Sequence, residues 1–268
     1  MSVEDHSKES SEDLPFYEAV GAECQVFNHC HAQSLPLLLK GPTGCGKSRL
    51  VEHMAARMGR PLVTVSAHEE TSAVDLLGRY LVRGGETHWL DGPVTRAVRE
   101  GAILYVDEVA EARPDVVVVL HPLTDHRRRL FIDRLDEELI AAPGFMLVVS
   151  YNPGYQGAFK QLKPSTRQRF VGMSMTYPEP ALEQRILIGE TGCDEGVAKR
   201  LVALGQKLRG LDQLGLSEVP STRLLVDTAR LIGSGLPPRL ACRVGILQLL
   251  SDDTQLVDGL GDLVDLVF

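Results

Sequence analysis

LPLLLKGPTGCGKS, residues 35–48, joins a short apolar run to a glycine-rich turn. The apolar run is typical of a buried strand, and the residues from Gly41 to Ser48 match the pattern G-x-x-x-x-G-K-[ST]. Residues 46–59, which follow, have the composition of a helix. A glycine-rich loop between a strand and a helix turns backbone N–H groups and the positive helix end towards phosphate oxygens. The stretch therefore predicts a phosphate-binding loop.

This loop predicts ATP and Mg²⁺ as cofactors. We expect Lys47 to pair with the β- and γ-phosphates and the Ser48 hydroxyl to ligate Mg²⁺. Cys45 is expected to be a small space-filling residue that contributes its backbone N–H. The nucleotide contacts of the loop are assigned to Gly41, Pro42, Thr43, Gly44, Cys45, Gly46, Lys47, Ser48 and Arg49.

A second apolar run, AILYVDE at residues 102–108, ends in two carboxylates. Asp107 is suited to the Mg²⁺ shell, which it would share with Ser48. Glu108, one residue further on, is placed to polarise a water molecule for in-line attack on the γ-phosphate. Together with the phosphate loop, these carboxylates predict Mg²⁺-dependent hydrolysis of ATP to ADP and phosphate.

Two polar residues elsewhere are further candidates for the same site. Asn152 follows the apolar run of residues 145–151, so its amide is expected to hold the attacking water or to touch the γ-phosphate. An Asn-Pro pair is by itself usually only a turn, and the position gives this one its weight. Arg223 begins a helical stretch near the carboxy terminus and is expected to reach back to the nucleotide.

The fold class follows from the order of the apolar runs. Further strands are predicted at residues 61–66, 145–151 and 170–175, with helix-like stretches at 92–101 and 113–123 between them. The last stretch is ambiguous, because its run of valines favours a strand whereas Pro114 at a first helical position favours a helix. Near-continuous apolar strands that alternate with helices predict an α/β fold with a parallel sheet covered on both faces.

The strand pattern stops near Glu179, and helical spacing replaces it. The apolar residues that recur at this spacing are Val197, Leu201, Leu204, Leu208 and Leu211. Residues 221–232 and 237–250 predict two more helices. We therefore expect a disordered lead-in at 1–14, an α/β nucleotide-binding domain at 15–185 and a small all-α lid domain at 186–268.

The segment PSTRQRF, residues 164–170, carries two arginines and no neighbouring acidic residue. In a doubly wound strand order, Arg167 and Arg169 are expected on the far side of the sheet from the phosphate loop, too distant from the nucleotide of their own chain. In a ring of subunits they could face the γ-phosphate of the neighbour. An arginine supplied in this way contributes about 10³–10⁵ in rate to phosphoryl transfer.

Composition limits the partners and the compartment. A formal net charge of −8 argues against bulk attraction to nucleic acid or to an anionic membrane. No apolar run has the length of a membrane span, and the acidic start does not resemble a secretory signal. The cysteines are odd in number and form no C-x-x-C pair, which favours free thiols in the cytoplasm. We expect a cytoplasmic protein that binds neither nucleic acid nor membrane.

These motifs resemble the AAA+ ATPases of the MoxR branch, and more narrowly the CbbQ/NorQ group, with the gas-vesicle protein GvpN as a more distant relative. The resemblance covers roughly residues 14–180, and the carboxy-terminal third matches only in outline. The matching strings are LKGPTGCGKSRLVEHMAARMGRPLVTV, DLLGRYLVRGGETHWLDGPVTRAVREGAILYVDEVAEAR, HPLTDHRRRL and APGFMLVVSYNPGYQGAFKQLKPSTRQRFV.

The resemblance implies a P-loop domain with a helical lid, assembled as a homo-hexameric ring. It implies Asn152 as the first sensor, Arg223 as the second sensor, and Arg169 with Arg167 as arginine-finger candidates. It also implies insertion hairpins around residues 78–89 and 127–143.

Members of the group work with a von Willebrand factor A domain partner, which is CbbO-like in the CbbQ case, and remodel an enzyme. The overall resemblance favours reactivation of inhibited Rubisco by release of tight-binding sugar phosphates. Maturation of nitric oxide reductase, as for NorQ, is the alternative.

Two other functional classes remain open at this stage, a nucleic-acid motor and a monomeric P-loop kinase of a small molecule. The VDE strand end, the Asn152 position and the helical part count against the kinase. The run His29-Cys30-His31 is not expected to bind metal, because consecutive helical residues point about 100° apart. His126 and the arginines after it are expected at the pore or between subunits, or else in a solvated turn.

Overall fold

The computed structural model of the chain describes residues 14–153, 162–211 and 219–268. The expected lead-in lies outside these residues except for Leu14. The strands are β1 (Leu37–Lys40), β2 (Leu62–Ser66), β3 (Gly78–Arg83), β4 (Glu86–Asp91), β5 (Ile103–Asp107), β6 (Arg129–Ile132), β7 (Glu137–Ile140), β8 (Met146–Tyr151) and β9 (Val171–Ser174).

The α-helices are α1 (Glu23–Ala32), α2 (Lys47–Arg57), α3 (Ala73–Leu77), α4 (Pro93–Glu100), α5 (Pro114–Leu120), α6 (Pro164–Arg167), α7 (Pro180–Thr191), α8 (Glu195–Arg209), α9 (Thr222–Gly233), α10 (Pro238–Cys242), α11 (Gln248–Leu250) and α12 (Thr254–Val267). Short 3₁₀ turns lie at Val109–Glu111, His121–Leu123 and Asp133–Leu135, and a π-helical turn at Arg243–Leu247 joins α10 to α11. Within the described ranges, no helix is long and apolar enough to cross a bilayer.

The predicted parallel sheet is confirmed. Its strands lie in the order β2-β5-β8-β1-β9, and every neighbouring pair is parallel. The order reverses at β1, which lies between β8 and β9. Such a switch point opens a crevice at the carboxyl ends of the strands, where ligands of α/β sheets bind.

Each central strand is apolar on both faces because each face is covered by helices. One face packs its side chains against α4 and α5, and the buried residues of this layer include Leu38, Leu104, Val106, Leu147, Val94, Val98 and Val116. The other face packs against α1 and α2, with Leu37, Leu39, Tyr105, Val148, Phe27, Leu50 and Met54. This sandwich explains the near-continuous hydrophobic runs of the sequence.

The ambiguous stretch of residues 113–123 forms helix α5. Pro114 occupies the first helical turn, where its missing N–H has no cost. Val116 and Leu120 are buried one turn apart, whereas Val118 on the other side is 61 % exposed. Burial of one helical face therefore overrides the strand propensity of the valines.

Two antiparallel hairpins extend from the α/β part where the resemblance implied insertions. β3 pairs with β4, and the glycines of their turn, Gly84 and Gly85, have φ of 61° and 87°. β6 pairs with β7. The Tyr80 hydroxyl on β3 donates a hydrogen bond to the Arg134 carbonyl between β6 and β7, at 3.1 Å, so the hairpins lie side by side.

The helices from α7 onward share a separate core. Four residues of the predicted stripe, Val197, Leu201, Leu204 and Leu208, are buried on α8, whereas the fifth, Leu211, lies beyond the end of α8 and is half-buried. Residues of α7, α9 and α12 complete this core, among them Leu187, Leu225 and Val264. The expected division at 185 and 186 falls inside α7. The single helix expected at 237–250 is interrupted by the π-helical turn, and α12 was not predicted.

Candidate nucleotide-binding site

The phosphate loop leaves the carboxyl end of β1 and enters α2. Gly44 and Gly46 have φ of 68° and 100°, in the left-handed region that disfavours other residues. A Cβ atom on Gly44 would lie 2.6 Å from Cβ and Oγ of Ser221, so a side chain here would collide with the lid. The first turn of α2 has no acidic residue to neutralise its positive end. The loop has the geometry of an anion cradle.

Lys47 places its ammonium group inside this cradle. Its side chain is largely buried, and Nζ donates hydrogen bonds to the carbonyl oxygens of Gly41 and Pro42, both at 2.9 Å. These bonds hold the charge at the concave side of the loop. A phosphate group in the loop would therefore meet a positive charge that is already in position.

Asp107 lies at the centre of a hydrogen-bonded cluster beside the loop. Its Oδ2 accepts from the Ser48 hydroxyl at 3.3 Å, and its Oδ1 accepts from the Tyr105 hydroxyl at 2.8 Å and from the Ser150 hydroxyl. The Ser48 and Tyr105 hydroxyls are themselves 3.2 Å apart. Burial, with the nearby Asp107 charge, raises the pKa of Tyr105, so the phenol stays a donor.

Tyr105 and Ser150 were not identified from the sequence. Tyr105 lies two residues before Asp107 on the same face of β5, and Ser150 lies near the end of the neighbouring strand β8. The period of two along a strand was the signal that would have found Tyr105. Ser150 needed the strand order, because β5 and β8 are distant in sequence.

Glu108 has a strained backbone conformation. Its φ of 53° lies in the left-handed region, which is uncommon for a residue with a side chain. Its N–H donates to Ser150 Oγ at 3.2 Å and to Asp107 Oδ1 at 3.1 Å. The exposed side chain lines the cavity above the loop. Ser150 thus orients both carboxylate residues.

Asn152 and Arg223 both line this cavity. The Asn152 amide donates to Thr43 Oγ1 at 3.1 Å, so it contacts the phosphate loop directly. Arg223 lies in the first turn of α9, and its Cβ approaches the loop at Gly44. The structure therefore brings a residue from the sheet and one from the lid to the same loop.

A junction that was not predicted links the lid to the phosphate loop. Tyr177 donates its hydroxyl proton to the Thr43 carbonyl at 3.0 Å, and the Arg209 guanidinium lies 4.2 Å from the Tyr177 ring centre. Arg209 forms a bidentate pair with the fully buried Glu183 at 2.8 and 2.7 Å. Thr222, beside Arg223, also donates to Glu183, at 2.6 Å.

The cavity between sheet and lid has a volume of about 430 Å³, which is within the range of small-molecule sites. Its inner end is polar, with the loop, Asp107 and Glu108. Its outer end, away from the loop, mixes the apolar side chains of Phe16, Tyr17, Val20, Ile186 and Val226 with the charged side chains of Glu18, Glu52, Glu190, Asp227 and Arg230. Arg49 lies at the rim, where it pairs with Glu190 of α7 at 3.2 Å. The polar inner end suits the phosphates of a nucleotide, and the aromatic and aliphatic side chains of the outer end suit its flat base.

The segment before α1 that closes this outer end is held by Glu23. Its carboxylate accepts from the N–H groups of Val20 and Gly21 and from the Tyr17 hydroxyl, at 2.5, 2.7 and 2.8 Å. Burial opposes ionisation, but these hydrogen bonds hold the pKa of Glu23 below its ordinary value. Burial raises the pKa of Tyr17. Glu23 therefore remains an acceptor and fixes the segment over the cavity.

The Ser48 and Asp107 oxygens fit a magnesium ion in their chemistry. Hard oxygen donors beside bound phosphates are the ligands that Mg²⁺ prefers. The cradle of loop N–H groups with Lys47 fits a di- or triphosphate.

In the described residues, no group of three or more His, Cys, Asp or Glu side chains converges as a metal site. His31, for example, contacts the Gly144 carbonyl at 3.1 Å while His29 is exposed.

Arg167 and Arg169 are not among the described residues that line the cavity of their own chain. From the sequence, this separation was explained by a location on the far side of the sheet from the phosphate loop, and that location was wrong. β9 pairs directly with β1, and Val171 donates to the Pro36 carbonyl at the amino end of β1. The phosphate loop leaves the opposite end of that strand, roughly 10 Å away. The arginines are thus separated from the loop along the strands, not across them.

Two family models match this chain. Residues 36–170 match the family described as AAA domain (dynein-related subfamily), and residues 183–267 match the family described as CbbQ/NirQ/NorQ C-terminal. The second match covers the helices whose sequence resembled the group only in outline.

Three curated relatives extend over nearly the whole chain. The denitrification regulatory protein NirQ of Pseudomonas aeruginosa is 58 % identical over 94 % of this chain and 97 % of its own length. Protein NorQ of Paracoccus denitrificans is 57 % identical over 96 % of this chain and 95 % of its own. Protein CbbQ of Hydrogenophilus thermoluteolus is 50 % identical over 90 % of this chain and 91 % of its own.

A solved structure shares the fold at low identity. A mutant of RuvB from Thermotoga maritima matches with a TM-score of 0.55 and 14 % identity, over 92 % of this chain and 72 % of that one. At this identity the likeness concerns the fold alone.

Proposed function

Because this chain belongs to the CbbQ/NirQ/NorQ family of AAA+ ATPases, we propose that it couples ATP hydrolysis to the remodelling of nitric oxide reductase during maturation. The observation that carries the catalytic part is the cluster in which Ser48, Asp107 and Glu108 meet beside the phosphate loop. It supplies a place for the phosphates, for a cation and for an attacking water. We further propose that the chain acts in the cytoplasm, where its free cysteines would stay reduced.

The relatives support this target over Rubisco. Two relatives of the denitrification type share 58 % and 57 % identity with this chain, whereas CbbQ shares 50 %. NirQ is named a denitrification regulatory protein, and NorQ belongs with the nitric oxide reductase alternative. Reactivation of inhibited Rubisco, favoured from the motifs alone, is the second candidate, and the 50 % identity with CbbQ supports it.

The phosphate loop binds the triphosphate. Its inward N–H groups and the Lys47 ammonium neutralise the phosphate charge, and Asn152 and Arg223 approach from the sheet and the lid. Closure of Phe16 and Tyr17 over the base would exclude water from the outer end. Binding is therefore expected to draw the α/β part and the lid together.

Ser48 and Asp107 would hold Mg²⁺ beside the phosphates. A cation bound there supplies charge neutralisation between phosphate oxygens. Tyr105 and Ser150 orient Asp107 by donating to its Oδ1, so the other carboxylate oxygen stays directed towards Ser48. These hydroxyls fix the carboxylate without contacting the nucleotide themselves.

Glu108 is the proposed general base. It accepts a proton from the water that attacks the γ-phosphate, while the Asn152 amide holds that water or the phosphate. The strained backbone of Glu108 directs the carboxylate into the cavity. Removal of the carboxylate is expected to stop hydrolysis and to leave binding intact.

Arg169 and Arg167 are proposed to act in the site of the next subunit of a homo-hexamer. In the described part of the chain, no acidic side chain pairs with either guanidinium, and neither lines the cavity. Delivery in trans would make hydrolysis depend on ring contacts. A von Willebrand factor A domain protein is proposed to connect the ring to its target.

Co-expression with the nitric oxide reductase subunits tests the target. Active reductase is expected with the wild-type chain and a von Willebrand factor A domain partner, and not with Glu108→Gln. Glu100→Gln, at the exposed end of α4, is the matched control and should support full activity. If the chain releases sugar phosphate from inhibited Rubisco and leaves the reductase inactive, the second candidate is correct.

A further inference from the structure

His121 connects the end of α5 to the segment that carries the two arginines. The residue begins the 3₁₀ turn after α5, and its Nε2 lies 3.2 Å from Thr166 Oγ1 on α6. Thr166 is only 4 % exposed. The proposed ATPase reaction does not use this contact.

Thr166 is part of the hydrogen-bonded turn that carries both arginines. It directly precedes Arg167, and its carbonyl accepts a hydrogen bond from the Arg169 N–H at 3.1 Å. The Arg167 carbonyl in turn accepts from the Phe170 N–H at 3.2 Å. A side-chain bond to Thr166 therefore limits the movement of the whole turn from residue 166 to residue 170.

His121 also closes a small apolar cavity between α5 and α6. Thr166 and Phe170 line it from the arginine segment, and Val109, which follows Glu108, lines it from the sheet side. Thr166 and Phe170 thus face apolar side chains, and the His121–Thr166 contact adds a directional bond to this packing. Directional bonds of this kind fix an orientation that packing alone leaves open.

The charge state of His121 suits this contact. Burial lowers its pKa, and the positive charges of Arg169 and Lys163 lower it further. The ring is therefore neutral at neutral pH and carries one N–H and one accepting nitrogen. A hydroxyl can bond to either, so the contact persists without placing another positive charge beside Arg169.

We propose that His121 is a positioning residue that aims Arg167 and Arg169 at the nucleotide of the neighbouring subunit. The inference rests on the proposed trans action of these arginines. It assigns to His121 a role in the nucleotide site of the next subunit and not in the site of its own chain. A displacement of a catalytic group by about 1 Å can cost on the order of 10² in rate.

Substitutions at the two ends of the contact test the role. We expect His121→Ala to lower kcat for ATP about 10- to 100-fold, with nucleotide affinity unchanged. His121→Gln keeps an amide that can reach Thr166 and should restore most of the rate. Thr166→Val should reproduce the His121→Ala loss without adding to it in the double variant, while Thr166→Ser retains the hydroxyl.

Subunit mixing distinguishes positioning from a general structural effect. Lys47→Ala subunits cannot bind nucleotide but carry an intact arginine segment, so they should restore turnover to His121→Ala subunits, as they should to Arg169→Ala. No gain for His121→Ala, beside a gain for Arg169→Ala, would overturn the role of His121 alone. No gain for Arg169→Ala would overturn the trans arginine and this inference with it. If His121→Ala does not fold, Thr166→Val takes its place in the same mixture.

Discussion

The Tyr177 hydroxyl lies 3.0 Å from the Thr43 carbonyl and donates to it, so the chain between β9 and the lid is bonded to the phosphate loop. Arg209 lies over the other side of the same ring and is itself fixed by the buried Glu183. The Tyr177 side chain therefore joins Arg209 of the lid to the phosphate loop. A substitution at Tyr177 therefore tests whether this contact between lid and loop contributes to ATP binding.

Tyr177→Phe should weaken ATP binding about three- to tenfold, because one hydrogen bond contributes about 0.5–1.5 kcal/mol. The ring remains under Arg209, so the loss of stability should not exceed about 1.5 kcal/mol. Titration with a fluorescent ATP analogue measures the effect. Tyr80→Phe removes a comparable bond to the Arg134 carbonyl on the hairpins and should leave affinity unchanged. Equal affinities for Tyr177→Phe and the wild type would show that the bond does not hold the loop.

Glu183→Gln should destabilise the lid by about 3 kcal/mol, because it leaves the Arg209 guanidinium without its buried carboxylate. Urea unfolding measures the change. Asp258→Asn, which breaks an exposed pair with Arg243 in the same part of the chain, is the control and should cost under about 1 kcal/mol. Similar losses for the two variants would contradict the assigned importance of the buried pair.

Most of the sheet and the core of the site were predictable from the sequence, whereas the lid contacts were not. The β1–loop–α2 stretch and the VDE strand end are local patterns, so Lys47, Ser48, Asp107 and Glu108 could be recognised without a structure. The role of Ser150 could be recognised only from the pairing of β8 with β5, because the two strands are distant in sequence. Tyr177 and Arg209 meet through tertiary packing between distant segments, which no spacing in the sequence reports.

Glu108→Gln should bind ATP with wild-type affinity and hydrolyse it about 10²–10⁴ times more slowly, since the amide cannot accept the proton from water. Single-turnover hydrolysis of radiolabelled ATP separates the two quantities. Glu100→Gln should retain the wild-type rate. A Glu108→Gln rate within threefold of wild type would exclude Glu108 as the base.

Ser150→Ala should raise the Mg²⁺ concentration needed for half-maximal ATPase activity about 10- to 100-fold, which is typical for loss of a residue that orients a metal ligand. The reason is that Ser150 bonds both the Asp107 carboxylate and the Glu108 N–H. Activity at saturating Mg²⁺ should recover in part. Ser174→Ala, on an exposed position of β9, provides the comparison. An unchanged Mg²⁺ dependence would mean that Tyr105 alone orients Asp107.

Cys242 should make the lid less stable at alkaline pH. Burial raises the pKa of its thiol from 9.0 to about 12, so the thiol ionises more readily in the unfolded chain. The stabilisation is complete below pH 9 and is lost as pH rises towards 12, by up to about 1.4 kcal/mol per pH unit. Urea unfolding at pH 8 and pH 10 should show a smaller decrease for Cys242→Ala than for the wild type. Cys193→Ala, which replaces a half-buried thiol, is the control, and parallel decreases for the wild type and Cys242→Ala would refute the linkage.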